Sequence, residues 1–132
     1  MHVLNRRRLA ATFAASLAIA ATTPAQAQQF INVLTGGTSG VYYPLGVALA
    51  EIYGGVLLDA RTQVQATKAS VENLNLLQQG KGEIAFTLGD SLQFAWDGNA
   101  DAGFPGKLDK LRAIGAIYPN YIQVVASVDS GI

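Results

Sequence analysis

The feature that most limits this chain's fold is a local order that recurs: a short apolar run, a loop of glycine and hydroxyl residues, then an amphipathic helix. Phe30 to Leu34 reads as a short buried strand, and Thr35-Gly-Gly-Thr-Ser-Gly40 behind it is a loop whose glycines reach backbone conformations barred to other residues. Pro44 suits a first helical turn, and Leu45, Ala48, Leu49 and Ile52 fall at i, i+3, i+4 and i+7, so a helix is predicted up to Gly54-Gly55. Arg61 to Ala66 alternates as a second strand. Ser70 then reads as an N-cap with Glu72 in the first turn, Val71, Leu74 and Leu77 on one face, and Gly80 as the stop. Glu83 to Leu88 is a third strand running into Gly89-Asp90-Ser91, with a shorter helix through Leu92, Phe94, Ala95 and Trp96. Asn99 to Lys110 reads as a polar surface excursion. Leu111 to Tyr118 and Ile122 to Ser127 read as two more strands around Pro119-Asn120. This order is the βαβ pattern of an α/β fold, with a parallel sheet and helices on its faces.

What precedes Phe30 is of another kind. Arg6, Arg7 and Arg8 are followed by Leu9 to Ala21, mostly Ala, Leu and Ile, and then by Thr22, Thr23, Pro24 and the small-x-small ending Ala25-Gln26-Ala27. Basic start, apolar middle and small-residue end are the parts of a secretory signal, and the middle is too short for the ~20 apolar residues that span a bilayer. Residues 1–27 are therefore expected to be a signal peptide cleaved after Ala27, by either the general or the twin-arginine route, which places the exported part, 28–132, in the periplasm. Of nine basic residues, the three leader arginines go with it, leaving six against nine acidic, a net charge of about −3. The single histidine, His2, goes too, and cysteine is absent.

These counts exclude much. A mildly acidic exported part offers no basic footprint, so no nucleic-acid partner is expected. Without histidine or cysteine, neither Ser-His nor Cys-His nucleophile systems can be assembled within it, and thiolate metal sites are excluded. Asp97 and Asp101 lie in a polar stretch that would leave their carboxyls solvated. No catalytic residue, no metal site and no cofactor is assigned; the deficit points to binding, not to an enzyme.

Ligands of open α/β sheets sit beyond the carboxyl ends of the strands. Three loops there carry hydroxyls and lead into helix N-termini, where unpaired N–H groups favour an anion: Thr35 to Tyr43, Ala66 to Asn73 and Leu88 to Gln93. Capping and turn formation is the simpler reading of Gly, Ser and Thr at such places. Neither a Walker order nor G-x-G-x-x-G follows the first strand, which disfavours a nucleotide. Of Tyr42 and Tyr43, one is expected to pack beneath the helix and one to face a ligand. Asp90 reads equally as a cap or a contact, and Phe94 and Trp96 read as core.

Thr35-Gly-Gly-Thr-Ser-Gly-Val-Tyr-Tyr-Pro-Leu-Gly46, Ser70-Val-Glu-Asn-Leu74, Leu111-Arg-Ala-Ile-Gly-Ala-Ile-Tyr118 and Asp129-Ser-Gly-Ile132 together resemble the TAXI family, the solute receptors of tripartite ATP-independent periplasmic (TRAP) transporters. The resemblance implies a two-lobed, type II periplasmic-binding-protein-like fold that holds a small organic acid or amino acid and delivers it to TRAP membrane permease subunits. Family members are about three times as long as residues 28–132, so the likeness is to the first lobe, a mixed sheet flanked by helices, and is partial. Carried over by residue, it implies ligand contacts at Thr38, Ser39, Gly40 and Tyr42 and a second segment near Ser70, with Asp90 and Ser91 in the third loop. Two departures stand out. Thr67-Lys68-Ala69-Ser70 occupies the place of Thr-Gly-Gly-Ser, and Leu88-Gly89-Asp90-Ser91 departs from a Gln-Ser-Asp order.

Three functions fit the sequence: a receptor for a carboxylate-bearing solute, a periplasmic ligand-sensing module built on the same lobe, or a secreted hydrolase whose catalytic residues lie elsewhere. Half a cleft cannot bury the ~70–90% of ligand surface typical of such sites, so these residues alone are expected to bind weakly and to associate.

Overall fold

The computed structural model describes residues 28–131; the leader expected over residues 1–27 lies outside them. Six regular elements follow in the predicted alternation: β1 (Gln29–Leu34), α1 (Tyr42–Val56), β2 (Ala60–Gln65), α2 (Ser70–Gln78), β3 (Ile84–Ala85) and α3 (Gly89–Asp97). A single 3-10 turn, Val128–Ser130, comes near the end. All pairing is parallel, in the order β2-β1-β3, with Gln29 opposite Ala60 and Val33 opposite Ile84. β1 is central, so the chain leaves it towards β2 and must cross back to reach β3. By the rule for open α/β sheets, the place where ligands bind is the switch point between the carboxyl ends of β1 and β3.

Two apolar clusters hold the unit. Ile31 and Val33 of β1 meet Ala50 and Phe86, with Tyr42, Leu45, Leu49, Tyr53 and Val64 packed around them. This cluster glues α1 to the sheet. The second, Leu74, Ala95, Phe104, Leu108 and Leu111, ties α3 to α2.

The helix faces differ from the expected stripes by about one position. On α1 the buried face is Leu45, Gly46, Leu49, Ala50 and Tyr53, while Ala48 and Ile52 look outward. α1 also runs through Gly54-Gly55 to Val56, because Tyr53 still packs on the sheet and its carbonyl accepts the Leu57 N–H at 2.8 Å. On α3 the core takes Ala95 and Leu92. Phe94 and Trp96, read from sequence as core, are 41% and 49% exposed. A nine-residue helix turns only one narrow face inward, and Phe104 and Leu108 already fill the space against it. These two come from 99–110, so the predicted surface excursion is in part a core element. Gly98, in the left-handed region at φ 75°, makes the sharp exit from α3 that brings it back.

The two strands expected at Leu111–Tyr118 and Ile122–Ser127 do not form, and β3 is two residues long rather than six. β-prone residues become a strand only where a neighbour accepts their backbone groups and covers one face. Residues 112–131 have neither and are exposed throughout. No helix among the described residues is long and apolar enough to cross a membrane.

α1 lies unusually close to the sheet at Gly46, where a methyl group would collide with Thr35 Cγ2 and approach Val64 and Val33 to 3.4 and 3.5 Å. Thr35 cannot rotate away cheaply, since its hydroxyl donates to the Gln65 carbonyl at 2.8 Å. Gly46→Ala is therefore expected to destabilise the protein by about 1–3 kcal/mol, as overpacked cores do, read as a lower urea midpoint at unchanged slope.

Candidate functional site

The carboxyl ends of all three strands are cross-linked by one side chain that the sequence reading passed over. Asn73, fully buried on α2, donates from Nδ2 to the Thr35 carbonyl at 2.6 Å and to the Phe86 carbonyl at 2.7 Å. One amide thus bridges β1 to the chain leaving β3. The Thr67 hydroxyl, beyond β2, lies 2.9 Å from the Thr35 carbonyl and 2.6 Å from Asn73 Oδ1, and accepts the Ala69 N–H at 3.0 Å. Buried carbonyls at strand ends lose water on folding and cost about 1–3 kcal/mol each if left unpaired. Here they are paired, and three loops are fixed relative to one another. A signal for Asn73 was present: Ser70, Asn73, Leu74 and Leu77 fall at i, i+3, i+4 and i+7, placing a polar amide within the buried stripe.

Around this lock stand the residues singled out from sequence. Tyr42 opens α1 and stacks on Phe86, ring centroids 5.5 Å apart and planes inclined by 23°. It is the tyrosine that packs beneath the helix, yet its hydroxyl end hydrogen-bonds Ser70. Ser70 is the first residue of α2, not its N-cap; that place belongs to Ala69. The Ser70 hydroxyl instead accepts the Leu88 N–H at 3.0 Å, linking α2 to the third loop. Asp90 and Tyr118 both act electrostatically on Tyr42. Asp90 does not cap α3 either; its Oδ1 accepts the N–H of Ser91 at 2.6 Å, with the Ser91 hydroxyl at 3.5 Å. Thr38, Ser39 and Gly40 form a tight exposed turn closed by the Gly40 N–H on the Gly37 carbonyl at 2.9 Å. They stand just before the start of α1.

The three helix N-termini are not equivalent. Glu72 sits in the first turn of α2, where its carboxylate accepts the Lys68 N–H at 2.6 Å, and Asp90 sits in the first turn of α3. α1 has no acidic residue in its first turn. Its unpaired N–H groups and dipole are the ones not already facing a carboxylate. A separate groove of about 340 Å³ runs along the flank of α3, lined by Leu92, Gln93, Trp96, Leu111 and Arg112. No group of His, Cys, Asp and Glu suited to a metal occurs among the described residues.

Burial raises the Tyr42 phenol above its ordinary 10.0, with the Tyr118 charge adding to the rise, the Ser70 hydrogen bond opposing it and Asp90 adding further. Ala69 holds φ 68° and ψ −147°, a region open almost only to glycine, at one of the two places where the resemblance expects glycine.

Among known families, residues 33–132 match the sequence profile of the NMT1-like family.

Ala69→Gly relieves the backbone strain and should stabilise the protein by about 1 kcal/mol, seen as a raised thermal midpoint. With a folded-state pKa above the unfolded 10.0, the neutral Tyr42 favours folding fully below pH 10, and that contribution is lost as pH rises through the folded value. Tyr42→Phe should remove a component of the tyrosinate absorbance curve that titrates above pH 10 and flatten the loss of stability above pH 10.

Proposed function

The chain belongs to the NMT1-like family, of the periplasmic solute-binding type, and from that premise we propose that it captures a small carboxylate-bearing solute for a TRAP transporter permease. An extracytoplasmic solute-binding role is what the family supports. The carboxylate is supported by the single contrast at the crevice, that α1 alone of the three converging helices lacks an acidic residue in its first turn. An anion there meets the helix dipole, free backbone N–H groups and the Thr38 and Ser39 hydroxyls, a donor set that needs no arginine. At α2 and α3 it would meet Glu72 and Asp90 at close range. In this reading Thr38, Ser39, Gly40 and Tyr42 hold the carboxylate, while Ser70, Asp90 and Ser91 face the rest of the solute. Residues 28–132 supply one wall of the cleft, and the leader over 1–27 delivers them to the periplasm.

Titration with small mono- and dicarboxylates, followed through backbone amide shifts, tests this. The amides of residues 38–43 should move first, and Ser39→Glu, which places a carboxylate where the solute's belongs, should suppress the response. Shifts confined to α3, or none, would refute the reading.

A further inference from the structure

The groove on the flank of α3 has its own chemistry. Gly89, Leu92, Gln93 and Trp96 fall at i, i+3, i+4 and i+7, so they form one continuous wall of it, and Leu111 and Arg112 stand on the other. Leu111 is buried in the second apolar cluster and Leu92 packs against that cluster, so the core holds the two walls together. Trp96, the only tryptophan in the sequence, is half-exposed and is the largest apolar side chain lining the groove. Arg112 is the only charged one. Its Nη1 donates to the Asp109 carbonyl at 2.9 Å and to the Leu111 carbonyl at 2.6 Å, which fixes the guanidinium and leaves Nε and Nη2 without a partner among the described residues. The carboxylates of α3 and of the chain leading to Arg112 hold other donors. Asp97 accepts from Gln93 Nε2 at 2.8 Å, Asp90 from the Ser91 N–H at 2.6 Å, and Asp109 from Gln78 Nε2 at 3.1 Å. An exposed indole and a fixed cation with no carboxylate on it therefore share one groove.

We propose that this groove is a second binding site, separate from the strand-end loops, and that it takes a planar aromatic anion, the ring on Trp96 and Leu92 and the negative charge on Arg112. Small-molecule sites start at about 300 Å³ and are mostly apolar, with a few placed polar groups. The groove, at about 340 Å³, has that size and that lining. A cavity of about 150 Å³ already takes a benzene ring, so two fused rings fit. An uncharged ring gains only the apolar contact, and a small anion without a ring gains only an exposed ion pair, which is weak in water. Joined in one molecule, the two contacts share a single loss of translational and rotational freedom, so the combination is selected over either part. A guanidinium edge takes the paired oxygens of an aryl carboxylate or an aryl sulfonate alike, and ring plus charge defines the ligand class. The inference stands apart from the carboxylate reading above, since α1 contributes no residue to this groove.

Because Trp96 is the only tryptophan, its indole N–H resonance reports on the groove without ambiguity. The protein is titrated at pH 7 with naphthalene-2-sulfonate and 2-naphthoate, which carry ring and charge, with 2-naphthol, which carries the ring alone, and with methanesulfonate, which carries the charge alone. The two aromatic anions should move the Trp96 indole N–H and the Leu92 and Gln93 amides, and bind about threefold to fivefold tighter than 2-naphthol, the gain open to an exposed ion pair. Methanesulfonate should leave these signals in place. Arg112→Gln, at an exposed position outside both apolar clusters, should bring both anions down to the affinity of 2-naphthol and leave 2-naphthol unchanged. A response to naphthalene-2-sulfonate at Trp96 without one at residues 38–43 would separate the groove from the α1 loop. Equal or tighter binding of 2-naphthol, an Arg112→Gln variant that keeps the preference for the anions, or shifts confined to residues 38–43 would overturn the site.

Discussion

Everything at the carboxyl edge of this sheet depends on how the Thr35 carbonyl is satisfied. It lies at the end of the central strand, out of reach of water, where the ladder has run out of partners. Asn73 and Thr67 converge on it from α2 and from the loop before α2, and Asn73's second proton goes to the Phe86 carbonyl. Thr35 itself reaches Gln65 through both N–H and hydroxyl. A handful of hydrogen bonds therefore decides the relative positions of three loops that share no regular pairing. Replacing Asn73 by an apolar residue would remove three bonds, the two that Nδ2 donates and the one that Oδ1 accepts from Thr67, and strand a carbonyl at Phe86, which is why an amide sits in the helix's buried stripe.

With the loops fixed, the charge pattern of the crevice follows from local chain chemistry. α2 and α3 each carry an acidic residue in the first turn, an arrangement that stabilises helix starts. α1 begins after a glycine turn with two tyrosines and a proline and is stabilised instead by burial of its face, including the close approach at Gly46. The acidic first turns that favour two helix starts are missing from the third, which stays electropositive while the third loop is electronegative.

Much of this is legible in the sequence, and the reason is locality. Strand β1, the helix behind Thr35–Gly40, the helix behind Ser70 and the stop at Gly80 all rest on residues within a few positions of each other. What misled was partner-dependent. Ile114, Ile117, Ile122, Val124 and Val125 have a strand's composition, yet strand formation requires an open ladder beside them, which no local pattern reports. Phe94 and Trp96 were misassigned for a related reason: hydrophobicity says that a side chain can be buried, but Phe104 and Leu108 had taken the place. Ala69 is the instructive middle case. Its neighbours mark a loop, but the glycine-like conformation it is made to hold is imposed by the helix it precedes and by Thr67.

The bare stretch from Arg112 onward has a kinetic meaning as well. Both apolar clusters are complete at Leu111, so a chain made from its amino end carries the whole of its buried framework before Ile114 is added. Residues 112–131 belong to neither cluster. Their apolar side chains stay on offer beside the short β3, whose outer edge is unpaired among the described residues. A strand that reaches that edge finds backbone groups open for pairing.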